Sequence, residues 1–117
     1  MTRPIRVLLC AAALMFVAPA AHHHHRPRYG ITHAMFERVA NVQLCEEGSN
    51  GWHVDGPKYF GGLGWLAATW TEFRNPHFPR SAARATPLQQ AWSMYRFIAH
   101  YRISWPDQPR GHCTGGY

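Results

Sequence analysis

Between residues 48 and 64 the chain carries glycine at positions 48, 51, 56, 61, 62 and 64. A segment of this kind has few side chains to pack and a large backbone entropy to lose, so whatever order it has must come from its flanks. Those flanks are where the chemistry is concentrated. From Cys45 to Trp70 the chain reads CEEGSNGWHVDGPKYFGGLGWLAATW, and Glu46, Glu47 and Asp55, with nearby Glu72, are four of its six acidic residues. Glycine without a Cβ lets backbone approach a bound ligand, as in a sugar-binding cleft, and it equally serves tight turns.

The beginning of the chain has the features of a leader. A basic start, Thr2-Arg3-Pro4-Ile5-Arg6, precedes an uncharged apolar run from Val7 to Val17, and Ala18-Pro19-Ala20 supplies the small-x-small pattern of a signal-peptidase site. Residues 1–20 are therefore expected to be a secretory signal peptide. About 14 apolar residues fall short of the roughly 20 that span a bilayer, so no stable membrane insertion is expected after cleavage. Cys10 would leave with the leader, and Cys45 and Cys113 would remain; in an oxidising compartment two such cysteines most simply form a disulfide. The formal charge of +6 falls to +4 without Arg3 and Arg6, and such a basic secreted protein is drawn to anionic cell-envelope polymers. Nucleic acid is not an expected partner, because no basic run or helix stripe is present. Residues 21–31, with His22 to His25, read as a disordered polar lead-in, and no metal site or cofactor is assigned to them.

Residues 32–117 are then the domain. Thr32 is placed to cap a helix running to about Glu46, on which Met35, Val39 and Val42 fall within about 40° of one another, with Phe36 beside them. Glu46 lies on the same line and Glu47 about 100° further round. Periodicity thus aims Glu46 at apolar surroundings, where desolvation raises a carboxyl's pKa towards the range of a general acid; a frayed helix end with both glutamates in water is the alternative. Trp52 to Phe60 reads as a small hairpin turning at Asp55-Gly56, with Pro57 confining the second arm to an edge. Leu66 to about Phe73 is a short helix ended by Asn75-Pro76. Thr86-Pro87-Leu88-Gln89 is a capping box with proline at the first helical position, opening a helix to about Ile103. On that helix Leu88, Trp92, Tyr95 and Ala99, joined by Ala91 and Ile98, form the expected buried face, with Ser93, Arg96 and His100 opposite. The expected class is α+β, mainly α: about three helices, a short β-hairpin and one disulfide. Tryptophans 52, 65, 70, 92 and 105 are expected mostly in the core, with Trp52 or Trp65 as candidates for stacking on sugar rings.

Several motifs in order resemble the resuscitation-promoting factor, or transglycosylase-like, domain of actinobacteria. They are Cys45-Glu46-Glu47-Gly48-Ser49-Asn50-Gly51-Trp52, Tyr59-Phe60-Gly61-Gly62-Leu63-Gly64, Thr69-Trp70, Ala85-Thr86, Gln89-Gln90, Trp105-Pro106 and Cys113, and they span about Thr32 to Cys113. The resemblance implies a lysozyme-like fold, secretion, and cleavage of peptidoglycan between N-acetylmuramic acid and N-acetylglucosamine. It implies that Glu46 is the catalytic acid and that Cys45 pairs with Cys113. The chain departs from the family pattern at Glu47, where serine is usual, and at Gly64, where glutamine is usual. A second carboxylate beside Glu46 would raise its pKa further.

The expected enzyme is a glycosidase or lytic transglycosylase acting on peptidoglycan glycan strands, cell-wall associated and monomeric, with no cofactor. Glu46 would protonate the glycosidic oxygen, and the oxocarbenium-like centre would be trapped by the substrate's N-acetyl group or C6 hydroxyl, or by water with Asp55 as partner. Asn50, Trp52, Asp55, Tyr59, Gly62, Trp65 and Thr69 are the candidate substrate contacts. The alternative on the same fold is a catalytically weak or inactive module that binds glycan strands or a cell-wall peptidase, since fold does not fix activity.

Overall fold

The structure is a computed structural model and describes residues 26–103. The expected leader, the His22 to His25 tract, Trp105-Pro106 and Cys113 lie outside the described residues. Three α-helices form the framework: α1 (His33–Glu46), α2 (Ala67–Phe73) and α3 (Pro87–Tyr101), with short 3-10 turns at Arg28–Gly30, Gly48–Asn50 and Ala82–Arg84. Among the described residues no helix is long and apolar enough to cross a membrane.

Each of the long helices starts at the residue its cap dictates. The Thr32 hydroxyl accepts from the Met35 N–H at 3.1 Å and opens α1. In α3 the Thr86 hydroxyl accepts from the Gln89 N–H at 3.2 Å while Gln89 Oε1 accepts from the Thr86 N–H at 3.0 Å, so two otherwise orphaned donors are paired reciprocally. Arg102, in the left-handed conformation at φ 52°, ends α3. The core joins Val39 and Val42 of α1, Trp70 of α2 and Ala91, Met94 and Ile98 of α3 to Leu63, Trp65, Phe78, Ala82 and Ala85 from the connections. Complete burial of an aliphatic side chain of this size stabilises by about 1.5–3 kcal/mol, so this cluster is the main source of cohesion. A hydrogen bond from Tyr95 Oη to the Met35 carbonyl, 3.1 Å, also ties α3 to α1.

Four expectations are corrected. The mainly α character holds, but no strand occurs among the described residues, so the β part of the expected α+β class is not found, and the Trp52–Phe60 hairpin is replaced by two isolated antiparallel bridges, Asp55 with Phe60 and Phe60 with Trp65. The Gly56 N–H donates to the Tyr59 carbonyl at 3.0 Å, so the turn encloses Gly56 to Tyr59 instead of centring on Asp55-Gly56. Pro57 has no N–H to extend a ladder, and Gly61, at φ +74°, bends the chain so that Phe60 pairs onward with Trp65 through two 2.9 Å bonds.

The buried face of α3 is also rotated from the expected one. Gln90, Ala91, Ser93, Met94 and Ile98 are buried, whereas Ala99 is exposed and Leu88, Trp92 and Tyr95 are half-buried. Helix α3 packs against α1, α2 and the Arg28–Gly30 turn together, and a helix with several neighbours buries a broad arc of about 160°, polar residues included. Finally, the described end of the lead-in is part of the fold. Ile31 is in the core and Tyr29 meets the edge of Phe78 at 5.2 Å, so packing begins near Arg28. Single apolar residues have no periodicity that would announce this.

Candidate active site

Helix α1 ends where the glycine-rich segment begins. Glu46 occupies its last position, Glu47 is the C-cap at φ −123°, and Gly48 takes φ +53°, a conformation glycine adopts without penalty. The chain therefore turns away at once, leaving both carboxylates at a helix end. Beside them lies an open cleft of about 460 Å³ lined by Glu46, Glu47, Tyr59, Leu63, Gly64, Trp65, Leu66, Thr69, Met94 and Phe97. One wall is the end of α1, another is the chain from Leu63 to Leu66, and α2 and α3 contribute Thr69, Met94 and Phe97. The Gly64 backbone comes so close to the acid that a Cβ there would sit 3.4 Å from Glu46 Oε2.

The Glu46 carboxyl titrates above the ordinary glutamate range, first because burial penalises its charged form and second because Glu47 places a like charge beside it. Glu46 as a residue is exposed, so water still reaches it, and it lines the cleft beside Leu63, Trp65 and Phe97. The arrangement is a carboxylic acid that keeps its proton to higher pH than usual, set in an aromatic and aliphatic cleft, a combination suited to general-acid catalysis.

Of the sequence-derived candidates, Glu46, Tyr59, Trp65 and Thr69 line the cleft, as do Glu47 and Gly64. Asn50, Trp52, Asp55 and Gly62 are not among its lining residues. Asn50 ends the 3-10 turn after α1, where its N–H donates to the Glu47 carbonyl at 3.0 Å. Trp52 stacks on Phe36, with ring centroids 5.7 Å apart. Asp55 bridges to Phe60, and the Gly62 N–H donates to Gln90 Oε1 at 2.9 Å. Trp65 is buried, in edge contact with Trp70 and Phe97 at 5.5 and 6.1 Å, and its indole N–H has no hydrogen-bond partner among the described residues. Leu63, Leu66, Met94 and Phe97 were not singled out from sequence. Met94 and Phe97 follow Gln90 at i+4 and i+7, a spacing that would have found them had the buried face been centred there.

No family model, no curated protein and no solved structure matches the chain.

Proposed function

We propose that the protein is a secreted, peptidoglycan-cleaving glycosidase of the transglycosylase-like kind, with Glu46 as its acid. The observation that carries this reading is the Glu46 carboxyl itself, held at the end of α1 on an open aromatic cleft with its pKa raised by burial and by Glu47. The order of motifs from Cys45 to Cys113 supports assignment to the resuscitation-promoting factor family, with Cys113 as the expected disulfide partner of Cys45.

In this reaction protonated Glu46 gives its proton to the glycosidic oxygen as the C1–O bond breaks, and the bonding pair leaves with that oxygen. The cationic centre at C1 is then captured by the same sugar's C6 hydroxyl or by its N-acetyl group. Capture by the C6 hydroxyl returns a proton to Glu46 and yields an anhydro product. Because Asp55 is not in the cleft lining, self-capture is favoured over water activated by Asp55. Tyr59 and Leu66, each partly exposed at the cleft, offer apolar faces to the sugar rings, and Thr69 offers a hydroxyl.

Digestion of purified cell wall by the wild type and by Glu46→Gln, with the muropeptides separated, is the test. Anhydro products from the wild type and at least a hundredfold fewer from the variant are expected, at the low end of what removal of a general acid costs (about 10²–10⁴). Equal products from both would remove Glu46 as the acid. No products from either would favour the second reading, a glycan-binding module, for which the solvent exposure of Glu46 is the specific support.

A further inference from the structure

Two glutamines are almost wholly excluded from solvent, Gln90 at 0% exposure and Gln43 at 4%. A buried primary amide must spend both N–H hydrogens and at least one carbonyl lone pair on partners or lose stability, so its bonds report what it holds. Gln90 Nε2 donates to the Trp52 carbonyl at 2.8 Å and to the Ala85 carbonyl at 3.2 Å, while its Oε1 accepts from Gly62 N–H at 2.9 Å. Gln43 Nε2 donates to the carbonyls of Gly48 and Gly51, both at 3.1 Å. Every one of these partners is backbone, and four of the five belong to the segment from Gly48 to Gly62. That segment contains no strand, and these amides pair its backbone where a neighbouring strand would otherwise do so.

We propose that Gln90 and Gln43 are positioning residues for the cleft, clamping the glycine-rich segment to α3 and α1 and so fixing the wall that faces Glu46. The steric pattern agrees with the bonding. A Cβ on Gly61 would lie 2.5 Å from Gln90 Oε1, and one on Gly62 would lie 2.8 Å from Gln43 Cγ and 2.9 Å from Trp52 Cα. Both glycines are therefore required by the clamp, which approaches too closely for any side chain. Two residues beyond Gly62 is Gly64, whose backbone faces the Glu46 carboxyl, and Leu63, Gly64 and Trp65 all line the cleft. From the other side Gln43 stands one turn before Glu46, and its main-chain carbonyl accepts the Glu47 N–H at 2.9 Å while its side chain fixes the next residues. Acid and opposing wall are thus each held by one amide. A carboxylate at position 90 would keep the bond from Gly62 but turn acceptor against acceptor at Trp52 and Ala85.

The inference rests on the reading of Glu46 as the acid for its activity readout, but two other readouts do not depend on it. In the full chain, nuclear magnetic resonance can follow exchange of the Gly62 amide and titration of the Glu46 carboxyl for the wild type, Gln90→Ala, Gln90→Glu and Gln43→Ala, with helix content checked by circular dichroism. For Gln90→Ala we expect Gly62 exchange to rise about tenfold, the equivalent of one lost hydrogen bond. The Glu46 titration should fall towards the ordinary glutamate value as the wall loosens and water enters. Gln90→Glu should keep Gly62 protected, and Gln43→Ala should lower the Glu46 titration on its own. If Gln90→Ala does not fold, Gln43→Ala decides by the Glu46 titration. A folded Gln90→Ala with unchanged Gly62 exchange, or a folded Gln43→Ala with an unchanged Glu46 titration, would overturn the proposal, even if it melted earlier. A wild type that cleaves no peptidoglycan would remove the proposed reaction and leave both readings able to decide this inference.

Discussion

Glu46 and Glu47 are adjacent in sequence and have different parts to play at the cleft. The folded-state pKa of Glu46 is raised, so its contribution to stability is fully present below the ordinary glutamate value and is lost as pH rises through the raised one. Glu46→Gln is neutral at every pH; its melting temperature should match the wild type in acid and exceed it slightly at neutral pH. A melting temperature lower than wild type at neutral pH would contradict the assigned cause. Catalysis by the protonated form should decline as pH rises through the same range. Glu47→Gln removes the smaller cause of the shift and should move that falling limb of the kcat/KM profile to lower pH, leaving the low-pH rate unchanged; a limb that stays in place would show that burial alone sets it. Trp65 leads to another expectation. Its indole N–H is buried without a partner among the described residues, and an unpaired buried donor costs about 1–3 kcal/mol, so Trp65→Phe, which keeps a ring against Trp70 and Phe97, should melt at or above the wild-type temperature. Helical phase placed Glu46 on the line of Val39 and Val42, a local property, and the residue does line the cleft, although as the last residue of α1 it is exposed while Glu47 is half-buried. The unpaired N–H of Trp65 was not legible, since it depends on which atoms from distant parts of the chain surround the ring.

At the scale of elements, the starts of α1 and α3 followed from Thr32, Thr86, Pro87 and Gln89, whose capping chemistry acts within one turn. Thr86→Ala removes one half of the reciprocal cap and should cost about 1 kcal/mol, lowering the melting temperature by about 4–8 °C in a domain of this size. The buried face of α3 was misjudged because apolar periodicity finds the centre of a stripe only when a helix has one neighbour; here Ser93 and Gln90 are buried among several. The glycine-rich segment is another case where local signals were incomplete. Asp55-Gly56 is a favoured hairpin turn by itself, but Pro57 and the positive φ of Gly61 override it. Two of its glycines can be told apart by mutation. Gly48→Ala has open space around its Cβ and should cost about 1–2 kcal/mol for its left-handed backbone alone. Gly61→Ala meets Gln90 Oε1 as well and should cost about 3 kcal/mol or more, because hydrogen bonds of the clamp are lost in addition. Chemical denaturation of the two variants measures the difference; equal costs would mean that Gln90 yields freely.

For the whole molecule, the core joins three helices through a long connection that has no sheet of its own, so the cleft depends on ties between parts remote in sequence. Val39, Trp70 and Met94 meet in the apolar cluster, and Gln90 reaches back to Trp52 and Gly62. A domain so small has a modest hydrophobic core, and a covalent tie at the end of α1 would matter more to it than to a larger one. Cys45 stands directly before Glu46, so the proposed disulfide would anchor the helix end that carries the proposed acid. With Cys113 as partner, chain-entropy reasoning gives a stabilisation on the order of 4 kcal/mol for a loop of this length. Cys113→Ser should therefore melt well below the wild type, and treatment with a reductant should lower the wild type to the same temperature while leaving the variant unmoved. Thiol titration under denaturing conditions supplies the control: the mature wild type should show no free thiol before reduction and two after it. If Cys113→Ser matched the wild type in melting temperature, the tie at Cys45 would have to be made elsewhere, and the helix end bearing Glu46 would owe its position to Gln43 and the core alone.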